Sequence, residues 1–304
     1  MLTYRFKDNL IYRLHPLTQM VFVSVVFVLA LIFSHPVYLL GLLISVWAVI
    51  LAAGSLKEWK SYIRFSLLMA ALIVLINVFF SRAGSTIIYQ GPGLPLIGSL
   101  EVSLEAIAYG LGMSLRLLVI ISIFCFYSCA IDPDKALRLF SRMGGKSVLA
   151  ITLSARLFPL MIKDFRRITE IQRCRGVNLS SGSWWERARN SIPIISIMLL
   201  SSLERSMQLA ESMYARGYGS GPRSCYERYF WRPRDRFIIV LTMIALLTGI
   251  WSAWQGWSSF SYYPVLQPIE HPEVIGAIII ASVLLLPAIL NWGWMKWPAL
   301  KSRI

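Results

Sequence analysis

Six apolar stretches constrain the fold most strongly, because each is nearly long enough to cross a lipid bilayer as a helix. A hydrocarbon core about 30 Å thick requires roughly 20 apolar residues per helix, and 57% of the 304 residues are hydrophobic. A soluble domain of this size does not need so much apolar surface. We therefore predict an all-α, polytopic integral membrane protein with about five to six transmembrane helices. The stretches are Leu17–Ser34, Pro36–Ala53, Tyr62–Phe80, Leu104–Ile131, Phe237–Gly256 and Val274–Trp292.

The formal net charge of +15 is distributed in a way that predicts membrane orientation. Of the 30 Lys and Arg residues, 19 lie in residues 131–236. Most others lie before the first stretch, between the second and third, or after the sixth, and the remaining connections carry almost none. This asymmetry follows the positive-inside rule. It predicts a multi-pass protein of the cell membrane with both termini in the cytoplasm. Part of the charge would also attract anionic membrane lipid, and we expect no nucleic-acid partner.

The same pattern divides the chain into three segments. Residues 1–131 form an N-terminal transmembrane block of four spans. Residues 132–236 form a basic cytoplasmic region, and residues 237–304 form a C-terminal transmembrane block of about two spans.

The basic region contains two long segments with helical periodicity, Val148–Cys174 and about Ile192–Arg216. A shorter helix starting at Pro133 is predicted to end at a turn formed by Gly144-Gly145. Pro159 should kink the first long helix. The apolar stripes of the two long helices contain Leu149, Leu153, Leu157, Leu160, Ile168 and Ile171 in the first, and Leu199, Leu203, Met207, Ala210 and Met213 in the second.

Both long helices end in an Arg-Gly pair, Arg175-Gly176 and Arg216-Gly217. A basic residue followed by glycine is by itself an ordinary helix ending. Two such endings in one cytoplasmic region of a membrane protein favour a docking function, because the planar arginine fork forms bidentate bonds with carboxylates. The small preceding residues, Cys174 and Ala215, would let each tip enter a narrow groove.

The fourth stretch carries small residues at four-residue spacing and a single arginine. Ala106, Gly110 and Ser114 predict close packing between helices of this chain, with a dedicated partner face as the alternative. Arg116 should bond to carbonyls or extend to one side, and a role in substrate binding is the other possibility. The Gly- and Pro-rich connection 81–102 predicts no regular structure.

No catalytic or metal site is expected. The histidines lie far apart, and no Ser/His/Asp set or carboxylate pair shares one membrane depth. The segment Gly144–Ser147 lacks the first glycine of a phosphate-binding loop. The four cysteines show no metal-ligand spacing and are interpreted as packing residues. These are Cys125, Cys129, Cys174 and Cys225.

Two segments resemble the transmembrane T component of energy-coupling factor transporters, which are related to ABC importers. Leu14-His15-Pro16-Leu17-Thr18 is similar to the family's pattern at the start of its first span. The strongest match begins at Leu203-Glu204-Arg205 and continues from Ala210 through Ala215-Arg216-Gly217-Tyr218. The resemblance covers most of the chain.

The resemblance implies a non-catalytic subunit that connects three partners. In the family, two Ala-Arg-Gly motifs form the tips of two coupling helices and bind in grooves of two cytoplasmic ATPase subunits. The matching residues are Cys174, Arg175 and Gly176, and Ala215, Arg216 and Gly217, with Cys174 in place of alanine. ATP and Mg²⁺ would be bound by the ATPase subunits, and this chain would bind no cofactor.

The resemblance also implies a small membrane-embedded S component that captures a vitamin or a metal ion. Closure of the ATPase dimer would move the two arginines together, and the apolar faces of the coupling helices would reorient the S component. The residues expected to face it are Leu153, Leu157, Leu199, Leu203, Met207 and Met213.

Two other functions stay open at this point. A self-contained secondary transporter or channel would need substrate-binding groups near the membrane midplane, and the sequence offers Arg116 and no internal repeat. A lipid-binding membrane scaffold would depend on the whole basic region, so its binding would weaken smoothly with salt.

Overall fold

The computed structural model describes residues 9–81, 84–90, 101–177, 183–221, 231–268 and 270–296. Within these residues the chain is almost entirely helical, which confirms the predicted all-α class. A short 3-10 helix, Ile11–Arg13, comes first. The α-helices are α1 (Pro16–Ile32), α2 (Pro36–Ala53), α3 (Leu56–Phe80), α4 (Leu104–Ala130), α5 (Pro133–Cys174), α6 (Trp184–Ala215), α7 (Pro233–Trp254) and α8 (His271–Lys296).

The helices belong to two compact units. Residues 1–136 together with 229–304 form the first unit, and residues 137–228 form the second. Of the described helices, α2, α3, α4, α7 and α8 are long and apolar enough to cross a membrane, whereas α1 has 17 residues and is shorter. The number agrees with the predicted five to six spans.

The first unit is organised around α2, which packs against α8, α4, α1 and α3. Its core consists of aliphatic and aromatic side chains, of which Leu29, Ile50, Val119 and Leu284 are completely shielded from solvent. In lipid, such contacts stabilise a bundle through van der Waals packing, because the hydrocarbon surroundings are as apolar as the core.

Histidine and proline start α1 and α2 in the same way. Nδ1 of His15 accepts a hydrogen bond from the Leu17 N–H, and Nδ1 of His35 accepts one from the Val37 N–H, each at 3.2 Å. A proline follows each histidine, at a position that needs no hydrogen-bond donor. Burial lowers the pKa of the His15 imidazole, although the Asp235 carboxylate opposes this, and the neutral ring keeps Nδ1 free to accept.

Small residues bring α3 and α4 together. A Cβ atom on Gly110 would lie 3.0 Å from the Val74 Cα, so the two backbones approach closely. The Ser114 hydroxyl donates to the Ala70 carbonyl at 3.0 Å. The predicted packing of the small residues within this chain is therefore confirmed. The rest of α3 is largely exposed and apolar, as expected of a helix surrounded by lipid.

The connection between α3 and α4 differs from the prediction of irregular structure. Two short strands, β1 (Ile87–Gln90) and β2 (Glu101–Ser103), pair antiparallel. Glu105 lies at the start of the fourth span, so the expectation that no Asp or Glu accompanies Arg116 in the spans is wrong. Its carboxylate is buried and accepts a hydrogen bond from the Thr86 N–H at 3.1 Å, which holds β1 against the start of α4. The Gly- and Pro-rich segment 91–100 lies outside the described residues.

Both long helices of the basic region are longer than predicted. The turn expected at Gly144-Gly145 is wrong, because α5 continues through both glycines and through Pro159. A glycine costs a helix only about 1 kcal/mol relative to alanine, which the long flanking segments can offset. Helix α6 starts at Trp184 rather than near Ile192. The Ser183 N–H donates to the Glu186 carboxylate at 3.0 Å, a capping contact that fixes the earlier start.

Candidate docking site on two arginine-tipped helices

The two helices that end in Arg-Gly are the longest in the described part of the chain. Helix α5 has 42 residues and α6 has 32. At a rise of 1.5 Å per residue they extend about 63 Å and about 48 Å. Both termini that carry arginine belong to the second unit.

The two helix ends have the same backbone structure. At the end of α5, the Gly176 N–H donates to the Arg173 carbonyl at 2.9 Å, and the Val177 N–H donates to the Gln172 carbonyl at 3.1 Å. These two bonds define a Schellman motif with Arg175 at the last, half-helical position.

At the end of α6, the corresponding bonds repeat. The Gly217 N–H donates to the Tyr214 carbonyl at 2.9 Å, and the Tyr218 N–H donates to the Met213 carbonyl at 3.0 Å. Arg216 therefore occupies the same position as Arg175. The predicted helix stops at both glycines are confirmed.

Glycine is required at both ends for a conformational reason. Gly176 has φ +87° and Gly217 has φ +74°, values that residues with a Cβ rarely adopt. A Cβ on Gly176 would meet nothing within 4 Å, so its surroundings leave space for a side chain and only the backbone conformation selects glycine.

Both tips are accessible to a partner. Arg175 and Arg216 are exposed, and so are their neighbours Cys174 and Ala215. The interpretation of Cys174 as a packing residue is wrong within this chain, because its side chain lies on the surface rather than in a core. Cys125 is buried, as predicted, and Cys225 lies outside the described residues. An exposed guanidinium with small neighbours can form bidentate hydrogen bonds with a carboxylate in a groove.

The residues predicted to face a membrane partner fall into two classes. Leu199, Leu203 and Met207 are exposed, at 61%, 61% and 64%. Leu153, Leu157 and Met213 are half-buried. The exposed members of the predicted set therefore all lie on α6. The exposed side chains of Ile192 and Ile195 extend this apolar surface towards the start of the helix.

An ion pair that was not predicted from the sequence joins α5 to α6. Arg205 Nη2 lies 2.6 Å from Asp164 Oδ2, and the two side chains are 33% and 34% exposed. Neither Arg205 nor Asp164 was among the predicted site residues. Asp164 and Arg205 are 41 residues apart in the sequence, as are Arg175 and Arg216.

Arg116 has a structural role within the first unit. Its Nη2 donates to the Phe33 carbonyl at 2.8 Å and lies 3.3 Å from the Ser34 hydroxyl, both just after the end of α1. The expectation that this side chain bonds to a carbonyl is confirmed. The side chain also borders a cavity of about 180 Å³ next to Tyr109 and Tyr262.

Among the described residues, no group of three or more His, Cys, Asp or Glu side chains is arranged to hold a metal ion. His15 and His35 instead cap separate helices.

Comparison with known proteins identifies the family of this chain. The sequence model of the CbiQ family, described as cobalt transport protein, matches residues 7–226. The chain is 28% identical over 252 residues to the energy-coupling factor transporter transmembrane protein EcfT of Streptococcus thermophilus, covering 79% of this chain and 91% of that protein. It is 27% identical over 261 residues to the protein of the same name from Bacillus subtilis, covering 79% and 93%.

Proposed function

The chain belongs to the CbiQ family of cobalt transport proteins, and on this premise we propose that it is the coupling subunit of an energy-coupling factor transporter. It joins two cytoplasmic ATPase subunits to a membrane-embedded S component. The observation that supports this most directly is the pair of equivalent arginine-capped tips on α5 and α6. Two equivalent tips on one chain suit two homologous ATPase subunits, each of which binds one tip.

The tips bind the ATPases through arginine and backbone shape. Arg175 and Arg216 donate bidentate hydrogen bonds to carboxylates in the partner grooves. The left-handed glycine after each arginine turns the chain away, so that only the small neighbours and the guanidinium enter the groove. ATP and Mg²⁺ are bound by the ATPases, and this chain contributes no catalytic group.

The exposed stripe of α6 faces the S component. Leu199, Leu203 and Met207 offer exposed apolar surface on α6. When ATP closes the ATPase dimer, the tips move together, the helices change their mutual angle, and the S component reorients. The substrate, a vitamin or a metal ion, is selected by the S component.

The test is a charge reversal at one tip. Arg216→Glu places a carboxylate against the partner's carboxylates, so the ATPase subunit that binds this tip should no longer co-purify with the tagged chain in mild detergent. Arg189→Glu, an equal change at an exposed arginine near the start of α6, is the matched control and should leave co-purification intact.

Salt separates this proposal from a lipid-binding scaffold. Specific docking should persist at a salt concentration that removes non-specific binding to basic surfaces. Equal losses in Arg216→Glu and Arg189→Glu, together with binding to the native chain that weakens smoothly as salt is raised, would contradict the proposal and favour the scaffold.

A further inference from the structure

We infer that the Asp164–Arg205 ion pair is the pivot about which α5 and α6 change their mutual angle. Eleven residues separate Asp164 from Arg175, and eleven separate Arg205 from Arg216. At 1.5 Å per helical residue, the two arms from pivot to tip are each about 16 Å long. This inference rests on the proposed function, because it assigns a positioning role within the same coupling movement.

Equal arms have a mechanical consequence. Two rods joined at one point separate their ends symmetrically only when the joint is equally far from both ends. With the contact at Asp164 and Arg205, rotation about it moves both tips by the same distance. The two docked ATPase subunits then experience the same displacement.

The surroundings of the pair single it out from the other charges. Asp164 and Arg205 are half-buried, whereas Arg166, Arg167 and Glu204 are exposed. Only this charged pair, among the residues the structure describes in the second unit, links the two helices by a recorded salt bridge.

An ion pair suits a pivot because it fixes position with little resistance to rotation. A short charge-assisted bond holds two points together, whereas interlocked apolar side chains would resist a change of angle. The pair is one-third exposed, so it contributes little to the folding of either helix. Removing it should therefore leave both helices folded and loosen only their relative position.

The experiment measures the distance between the two tips in the full-length chain. Spin labels are placed at Glu170→Cys and Glu211→Cys, two exposed positions that each lie five residues before a tip arginine. The native cysteines are replaced, including Cys174→Ala, which makes the two tips alike. Distances between the two labels are measured by pulsed electron paramagnetic resonance on the chain in nanodiscs, without ATPase subunits.

The expected result is a narrow distribution for the native pair and one at least twice as wide for Asp164→Asn and for Arg205→Gln. The exchange Asp164→Arg with Arg205→Asp restores the opposite charges and should narrow the distribution again. Single variants as narrow as the native chain, or an exchange variant as wide as the single variants, would overturn the pivot.

Co-purification keeps this inference separate from the proposed function. ATPase subunits should bind the labelled chain and its Asp164→Asn variant equally, because the tips are unchanged. If the subunits fail to bind even the native chain, the proposed function is wrong, and the pivot loses its role in coupling. If they bind the native chain but not Asp164→Asn, the pair acts on docking itself, which would also overturn the pivot.

Discussion

At the scale of single residues, the docking tips depend on backbone conformation as much as on charge. Gly176 and Gly217 adopt positive φ, and each lets the chain leave the helix directly after an arginine. The arginines could occur anywhere on a basic surface. The glycines determine that each is the last residue before the chain turns away.

We predict that Gly176→Ala weakens the first tip. The surroundings are open, so the change acts only through the backbone, and a Cβ in the left-handed region costs about 1 kcal/mol. Hydrogen exchange of the Val177 amide should become faster, because its bond to the Gln172 carbonyl frays.

Gly221→Ala is the control for this prediction. Gly221 also meets nothing within 4 Å, but its φ does not lie in the left-handed region. The Gly221→Ala substitution should leave hydrogen exchange of the Tyr218 amide, at the end of α6, unchanged. Equal effects of the two substitutions would mean that glycine at the tip has no conformational role.

At the scale of helices, the close approach of α3 and α4 depends on one glycine. We predict that Gly110→Val destabilises the first unit by about 1–3 kcal/mol, the range for overpacked sites. The neighbour at 3.0 Å is the Val74 Cα, and backbone cannot move aside as a flexible side chain can. The measurement is the apparent melting temperature in detergent.

Gly293→Val in α8 provides the comparison, because a Cβ there meets nothing within 4 Å. It should change the melting temperature little beyond the lower helix propensity of valine. A loss at Gly110→Val no larger than at Gly293→Val would show that the small residues of α4 do not determine its distance from α3.

Local patterns made some of these features predictable. The lengths of the apolar stretches predicted the membrane spans, and the small residues of α4 predicted its close contact with α3. Glycine directly after arginine predicted the ends of α5 and α6. Each of these signals lies within a few neighbouring residues.

The missed features depend on long-range or competing effects. The Asp164–Arg205 pair joins residues of two helices, and no helical periodicity specifies which points meet. The continuity of α5 through Gly144-Gly145 reflects the length of the helix on both sides, which outweighs a local turn signal. The start of α6 at Trp184 was encoded by Ser183 and Glu186, a capping pattern that the apolar stripe obscured.

At the scale of the whole molecule, the charge distribution should fix the orientation in the membrane. The basic second unit is predicted to face the cytoplasm, and the connection between α7 and α8 to face outward. This orientation places the arginine tips on the side where ATP is available.

Orientation can be tested with two matched serine-to-cysteine changes in a chain without native cysteines. Ser259 lies between α7 and α8, Ser220 lies after the second tip, and both are exposed. In intact cells, a membrane-impermeant maleimide should label Ser259→Cys and not Ser220→Cys. Labelling of Ser220→Cys alone would reverse the proposed topology.

The most direct test of the coupling role is to purify the tagged chain from its native membrane in mild detergent and to identify its partners by mass spectrometry. We predict two nucleotide-binding subunits and a small hydrophobic protein, with the nucleotide-binding subunits lost when Arg175 and Arg216 are both changed to Glu. Recovery of the native chain alone, still able to move a solute across liposomes, would contradict the proposal and indicate a self-contained transporter.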